Sequence, residues 1–178
     1  KNYLFSKKED IRNSKEKWER ITNPEEIKGT KIIQMVRYFY MTRQGHITKG
    51  KLYRVLKKLV KPNPEQFVKD LEKFSDFYKN YTSIEHSQFE ETKTLLGKFN
   101  IRLKGQVDSI FPVFKSISGL NRYHIEQPIP LIYSYLAKFE ELDLDNDDDY
   151  DKALSFFLEC LERFHFINNF ILSEPTNK

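Results

Sequence analysis

The sequence predicts an all-α fold, an irregular bundle of about seven or eight helices. The 178 residues include only 6 glycines, and most prolines stand where a helix is expected to begin. Apolar side chains recur every three or four residues along most of the chain, which is the period of a helix that buries one face. Apolar residues make up 39% of the sequence and aromatic residues 15%, enough to form a core. We therefore expect a single helical domain over residues 1–178.

The first helix is predicted over residues 6–21, with one apolar stripe formed by Ile11, Trp18 and Ile21. Asn23 and Pro24 then resemble an N-cap followed by a first-turn proline, since the Asn oxygen accepts a free amide and Pro has no amide to satisfy. The second helix should run to about Arg43, with Gly45 as its stop.

The third helix is predicted from a Thr48 cap through Val60 and is strongly amphipathic. Its apolar side is formed by Leu52, Val55, Leu56 and Leu59. Its exposed side is expected to be basic and to carry Lys49, Lys51, Arg54, Lys57, Lys58 and Lys61. These six cations are the candidate nucleic-acid contacts, because Lys and Arg side chains neutralise phosphates.

A second start signal, Asn63 followed by Pro64, precedes the most regular stripe of the chain. This fourth helix carries Phe67, Leu71, Phe74, Tyr78 and Tyr81 at helical spacing. A fifth helix is predicted over residues 87–101. A sixth is predicted over residues 106–117 and is expected to end at Gly119.

Pro128 and Pro130 predict the start of a seventh helix that runs to about residue 141, before an acidic connection over residues 142–151. The last helix has a long apolar stripe formed by Tyr150, Leu154, Phe157, Leu158, Leu161, Phe164 and Ile171. We expect the side chains of Leu71, Phe74, Phe157, Leu161 and Phe164 to be buried. For a fully enclosed Phe164 ring, truncation to Ala costs about 3 to 5 kcal/mol.

The formal net charge of +4 hides a gradient along the chain. Residues 1–61 hold 17 Lys and Arg against 6 Asp and Glu, a net +11, whereas residues 121–178 hold 5 against 12, a net −7. Such asymmetry is typical of a nucleic-acid-binding surface at the basic end. A basic helix is, however, more often a solvated face, or one that attaches to an acidic neighbour such as the chain's own acidic connection.

No group of residues predicts catalysis or metal binding. The acidic run over residues 143–151 resembles a calcium loop, but Asp148 stands where glycine is needed and Leu154 where a bidentate Glu is needed. The four histidines are scattered, and Cys160, the only cysteine, is expected in the core. The sequence contains no phosphate-binding glycine loop and no nucleophile elbow. We predict that the isolated chain is not an enzyme and holds no cofactor.

Short motifs along nearly the whole chain resemble, in their order, the helical region of the GmrSD-like modification-dependent restriction proteins. The resembling positions are residues 1–6, 17–18, 21, 36–39, 45, 47–48, 52–53, 77–78, 130–131 and 162–168, the last containing Phe-His-Phe. Proteins of this family join a ParB-like nucleotidase domain to an HNH nuclease domain, and the motifs of both domains lie outside the resembling region. The resemblance implies a parent protein that is a nucleotide-dependent endonuclease acting in phage defence on modified DNA. It places no catalytic or cofactor residue in this chain.

Three functions follow as expectations. The first is a non-catalytic helical connector that links nucleotidase and nuclease modules, with those neighbouring domains as its partners. The second is a nucleic-acid-binding module that uses the basic third helix for phosphates and Tyr38, Tyr40 or Tyr53 for stacking. The third is a helical adaptor for another protein. The lone cysteine predicts a cytoplasmic setting, and the lack of an apolar run long enough to cross a bilayer predicts no membrane contact. Because the sequence begins at Lys1 with no initiator Met, we expect it to be a segment of a larger protein.

Overall fold

A computed structural model describes residues 8–23, 29–84, 89–99, 101, 107–142 and 148–172. Within these ranges the regular structure is entirely helical, which confirms the all-α prediction. The elements are α1 (Lys8–Ile21), α2 (Gly29–Gln44), α3 (Lys49–Val60), α4 (Pro64–Ser83), α5 (Phe89–Gly97), α6 (Val107–Arg122), α7 (Ile129–Leu142), α8 (Asp148–Phe166) and a π-helical turn (Ile167–Ile171). No helix in the described ranges is both long and apolar enough to span a membrane.

The chain divides into two compact units, Lys1–Lys79 and Asn80–Lys178. Each unit has its own set of buried apolar side chains. The expectation of a single domain over residues 1–178 stays a prediction.

The core of the first unit is built from aromatic side chains of α2 and α4. The Phe39 ring meets Phe67 edge-on at a centroid distance of 5.5 Å and lies 5.7 Å from Phe74. The Ser75 hydroxyl of α4 donates a buried hydrogen bond of 3.1 Å to the carbonyl of Ile21, at the end of α1. The fully buried side chains of this unit are Ile21, Met35, Phe39, Leu71, Phe74, Phe77 and Tyr78. The predicted burial of Leu71 and Phe74 is therefore confirmed.

The start and stop signals of the first unit act largely as their chemistry predicts. Gly45 adopts φ +80° directly after α2, a conformation that few side chains tolerate. Asn63 caps α4, because its Oδ1 accepts the Gln66 amide at 3.1 Å. Thr48 precedes α3 in an extended conformation, but its hydroxyl makes no capping bond. Pro24 lies outside the described residues, so the predicted start of the second helix stays a prediction.

In the second unit, α6 packs against both α5 and α8. The prediction that Gly119 ends α6 is wrong, because the helix continues to Arg122. A Cβ at Gly119 would meet the carboxylate of Glu162 on α8. Gly119 therefore lies inside α6, which packs against α8, and does not terminate the helix. α5 also differs from its predicted range and ends at Gly97, followed by a turn in which the Leu96 carbonyl accepts the Phe99 and Ile101 amides.

One phenol at the start of the second unit has a raised pKa. Tyr81 is fully enclosed, and burial, together with the nearby Glu126 carboxylate, raises the pKa of its hydroxyl. The Asn121 side chain of α6 donates to the carbonyls of Tyr81 and Ile84 and so satisfies the end of α4.

The predicted stripe of α8 is buried only in part. Leu154 and Leu158 are buried, Phe157 and Leu161 are half-buried, and Phe164 is 61% exposed. The prediction for Phe164 is wrong because apolar residues occupy two sides of α8, and only the side that carries Leu154 and Leu158 is enclosed. The core position expected for Cys160 is also wrong, since its thiol is exposed. In α1, Trp18 is likewise exposed and only Ile21 of the predicted stripe is shown to be buried.

Candidate nucleic-acid interface

The structure exposes all six basic side chains predicted on the third helix: Lys49, Lys51, Arg54, Lys57, Lys58 and Lys61. The helix contains no acidic residue, and residues 27–64 as a whole contain ten Lys and Arg and no Asp or Glu. α3 thus lies in the middle of a stretch of sequence that carries positive charge only.

Helical spacing places five of these cations on one side of α3. With about 100° between successive residues, all of them except Lys49 fall within an arc of about 120° opposite the buried Leu52. Lys49 is exposed as well, but it lies about 80° beyond the edge of that arc. We define the α3 basic face as Lys51, Arg54, Lys57, Lys58 and Lys61.

A side chain of α2 fixes the turn that leads into α3. Arg37 Nε donates to the carbonyl of Ile47 at 2.7 Å, and its Nη2 lies 3.3 Å from His46 Nε2. Ile47 itself is buried beneath this turn. The four residues between α2 and α3 are therefore fixed by the Arg37 guanidinium, by the positive φ of Gly45 and by the buried Ile47 side chain. α3 follows this turn with its basic side chains exposed.

Several other cations of the first unit have partners. Arg20 Nη2 lies 3.0 Å from Glu72 Oε1, and Arg43 Nη2 lies 2.9 Å from Asp70 Oδ2. The Arg43 guanidinium also lies 4.9 Å from the centre of the Phe39 ring. These side chains contribute to packing within the unit, and so does Arg37.

The α3 basic face lacks such partners. Within the described ranges, none of its five side chains forms an ion pair or a side-chain hydrogen bond. Cations held three and four residues apart on one helix repel each other, a cost that an anion bound from outside relieves. The arrangement is therefore suited to contact with a polyanion.

Of the three tyrosines expected to stack on bases, only one is freely presented. Tyr53 of α3 is 79% exposed and adjoins the basic face on the helix wheel. Tyr40 is half-buried, and Tyr38 is buried with its ring near that of Tyr78. The prediction for Tyr38 is therefore wrong, because its side chain belongs to the core.

Two sequence hypotheses concern residues that the structure leaves undescribed. Residues 143–147 lie outside the described ranges, so the expectation that this acidic connection is not a calcium loop and the pairing of the connection with α3 both stay predictions. His86 is outside these ranges too. Among the described residues, no three His, Cys, Asp or Glu side chains lie together in a way that could hold a metal ion.

Comparison with protein-family models, with curated protein sequences and with solved structures gave no match to this chain.

Proposed function

We propose that this chain is a non-catalytic helical module that binds the phosphate backbone of duplex DNA through the α3 basic face. The observation that carries the proposal is the presence of five exposed cations on one side of a helix, with no carboxylate partner among the described residues. By contrast, cations of α1 and α2 form ion pairs with carboxylates of the same unit.

The dimensions of the face suit a duplex. From Lys51 to Lys61 the helix rises about 15 Å, and duplex DNA presents one negative charge per roughly 1.7 Å of its axis. The major groove is about 12 Å wide and admits a helix. Several phosphates are therefore within reach of the long Lys and Arg side chains at once.

The composition of the face favours binding with little sequence preference. Four of its five members are lysines, which act as point charges on phosphates and do not read base edges. Arg54 supplies the single planar guanidinium, and Tyr53 offers a hydroxyl to a phosphate or a ring to an unpaired base.

This function is compatible with the resemblance to restriction proteins. In such a parent, a cytoplasmic phage-defence endonuclease, the chain connects the nucleotidase and nuclease modules while α3 holds the DNA that the nuclease cuts. Holding DNA requires no acid, base or metal in the chain itself, in keeping with a connector that carries no catalytic group.

The proposal is tested by reversing the charge of the face. We expect the triple variant Lys51→Glu, Arg54→Glu and Lys58→Glu to weaken binding of a fluorescent duplex roughly tenfold or more at low salt, because three phosphate contacts become repulsive. The measurement is fluorescence anisotropy with duplexes of unrelated sequence, and the loss should be similar for all of them.

The matched control changes the net charge equally at other exposed helix and turn positions, through Lys69→Glu, Lys98→Glu and Lys115→Glu. Its affinity should stay within a small factor of wild type, apart from the general effect of net charge. Equal losses in the two triple variants, or no measurable binding by the wild-type chain, would refute the role of α3.

A further inference from the structure

The outer side of α8 and the π-helical turn carry an exposed apolar stripe that continues for about 22 Å from its first residue to its last. Phe156 is 69% exposed, Phe164 61% and Ile171 62%, and Cys160 and Ile167 lie between them, also exposed. With about 100° per residue in α8, Phe156, Cys160, Phe164 and Ile167 fall within an arc of about 80°. Ile171 follows Ile167 after almost one turn of the π-helix and so lies on the same side. We define them as the α8 outer stripe.

The π-helical turn keeps the stripe continuous at its far end. The Leu172 amide donates to the carbonyl of Ile167 at 2.9 Å, the five-residue spacing of a π-turn. The wider turn leaves Phe166 and Phe170 stacked at 5.6 Å with Tyr123 of α6 beside them. These three rings form a half-exposed aromatic group that fixes the orientation of the turn.

We propose that the α8 outer stripe is the interface of a homodimer, in which α8 of one copy pairs with α8 of a second copy in antiparallel orientation. The spacing of the stripe is nearly palindromic about a point between Arg163 and Phe164. A two-fold axis at that point places Phe156 against Ile171 of the other copy, and Cys160 against its Ile167. Self-complementarity of this kind is what a two-fold interface requires.

The exposed area agrees with a dimer of modest strength. Large aromatic side chains offer about 150 to 250 Å² each when they are buried. At their observed exposures Phe156 and Phe164 contribute about 200 to 300 Å² per copy. The exposed parts of Cys160, Ile167 and Ile171 bring the fully covered stripe to roughly 500 Å² per copy, or about 1,000 Å² in total, the lower bound of specific interfaces. The neighbouring aromatic group adds further apolar surface, so the dimer should form reversibly with rising protein concentration.

Electrostatic repulsion does not oppose the pairing of two α8 outer stripes. The stripe contains no ionisable side chain other than the Cys160 thiol, and the charges of Glu159 and Arg163 at its margin neutralise each other through a hydrogen bond of 2.5 Å. The acidic side chains that give residues 121–178 their net negative charge all lie outside the stripe.

Oligomeric state and cross-linking test the proposal together. Light scattering coupled to size exclusion should give a mass that rises toward twice the 21.4 kDa chain mass with concentration. Phe164→Glu should give the single-chain mass at every concentration, because it places two carboxylates beside the two-fold axis. Phe111→Glu is the matched control, since Phe111 is an equally exposed phenylalanine on α6, and it should dimerise as wild type does.

Disulfide trapping then tests the orientation. In an antiparallel pair, the two Cys160 residues lie about 10 Å apart along the axis, beyond the span of a disulfide, so the wild-type dimer should not cross-link on oxidation. Phe164→Cys combined with Cys160→Ser should cross-link readily. A single-chain mass for the wild type at high concentration would overturn the proposal. Loss of dimer in Phe111→Glu, or a Cys160 cross-link in the wild type with none in Phe164→Cys, would overturn it as well.

Discussion

α4 and α8 have the same apolar period in the sequence and differ in what covers it. The rings of α4 from Phe74 to Tyr81 are enclosed, whereas α8 buries Leu154 and Leu158 on one side and exposes Phe156 and Phe164 on another. The period of the apolar residues therefore identifies an amphipathic helix, but it does not indicate how many faces of that helix pack against other helices. Surface that has no partner inside the chain is available to one outside it, and the same reasoning applies to the cations of α3.

The largest effect on stability is expected for Phe74→Ala. Its ring is fully buried and lies within 6.5 Å of the rings of Phe39, Phe77 and Tyr78, so truncation leaves a cavity that the packed aromatic cluster cannot close. We expect the free energy of unfolding to fall by about 3 to 5 kcal/mol, measured by urea titration. A loss under about 1.5 kcal/mol would remove the contrast between α4 and α8.

Phe164→Ala should cost far less than the same change in α4. With the ring mostly in solvent, the variant loses little buried area, and the expected change in unfolding free energy is below about 1 kcal/mol. The titration is performed at low protein concentration, where the proposed dimer is dissociated. A cost above about 2 kcal/mol there would mean that the ring is enclosed after all.

The smallest effect is a dependence of stability on pH at the inner side of α8. Partial burial lowers the pKa of His165 in the folded chain, so the unfolded chain binds a proton more readily below an ordinary histidine pKa of about 6.5. The contribution of neutral His165 to the free energy of unfolding is therefore complete above that pH, and it is lost as the pH falls toward the lowered pKa of the folded chain. Unfolding titrations should show His165→Gln losing less stability than wild type on acidification. Parallel profiles for the two proteins would contradict the shift.

Local chemistry explains which parts of the fold were predictable. Asn63 and Gly45 act through their own side chain or backbone conformation, so they marked a helix start and a helix end correctly. Gly119 did not, because α6 continues past it to Arg122, and its neighbour Glu162 on α8 is 43 positions away in the chain. The exposure of Phe164 was missed for the same kind of reason, since burial depends on which helices arrive beside α8.

In the candidate site too, features set by one helix were predictable and features set by contacts between helices were not. The basic face follows from helical spacing within α3 alone, and its exposure agrees with that spacing. The contact of Arg37 with the carbonyl of Ile47 joins two elements, and no local pattern indicates it. Residue type could not distinguish Tyr38 from Tyr53, since both are tyrosines on predicted helices. The packing of each helix places the Tyr38 ring in the core and leaves the Tyr53 ring in solvent.

The salt dependence of DNA binding is the sharpest test of whether the α3 basic face binds DNA phosphates, since its slope counts the phosphates that the protein neutralises. For the wild-type chain we expect the logarithm of the binding constant to fall with the logarithm of salt concentration with a slope of about −4 to −5, set by the five cations of the α3 basic face. The variant with Lys51, Arg54 and Lys58 changed to Glu should have a slope shallower by about 3, and the variant changed at Lys69, Lys98 and Lys115 should keep the wild-type slope. A wild-type slope near zero, or the same slope in both variants, would contradict the account.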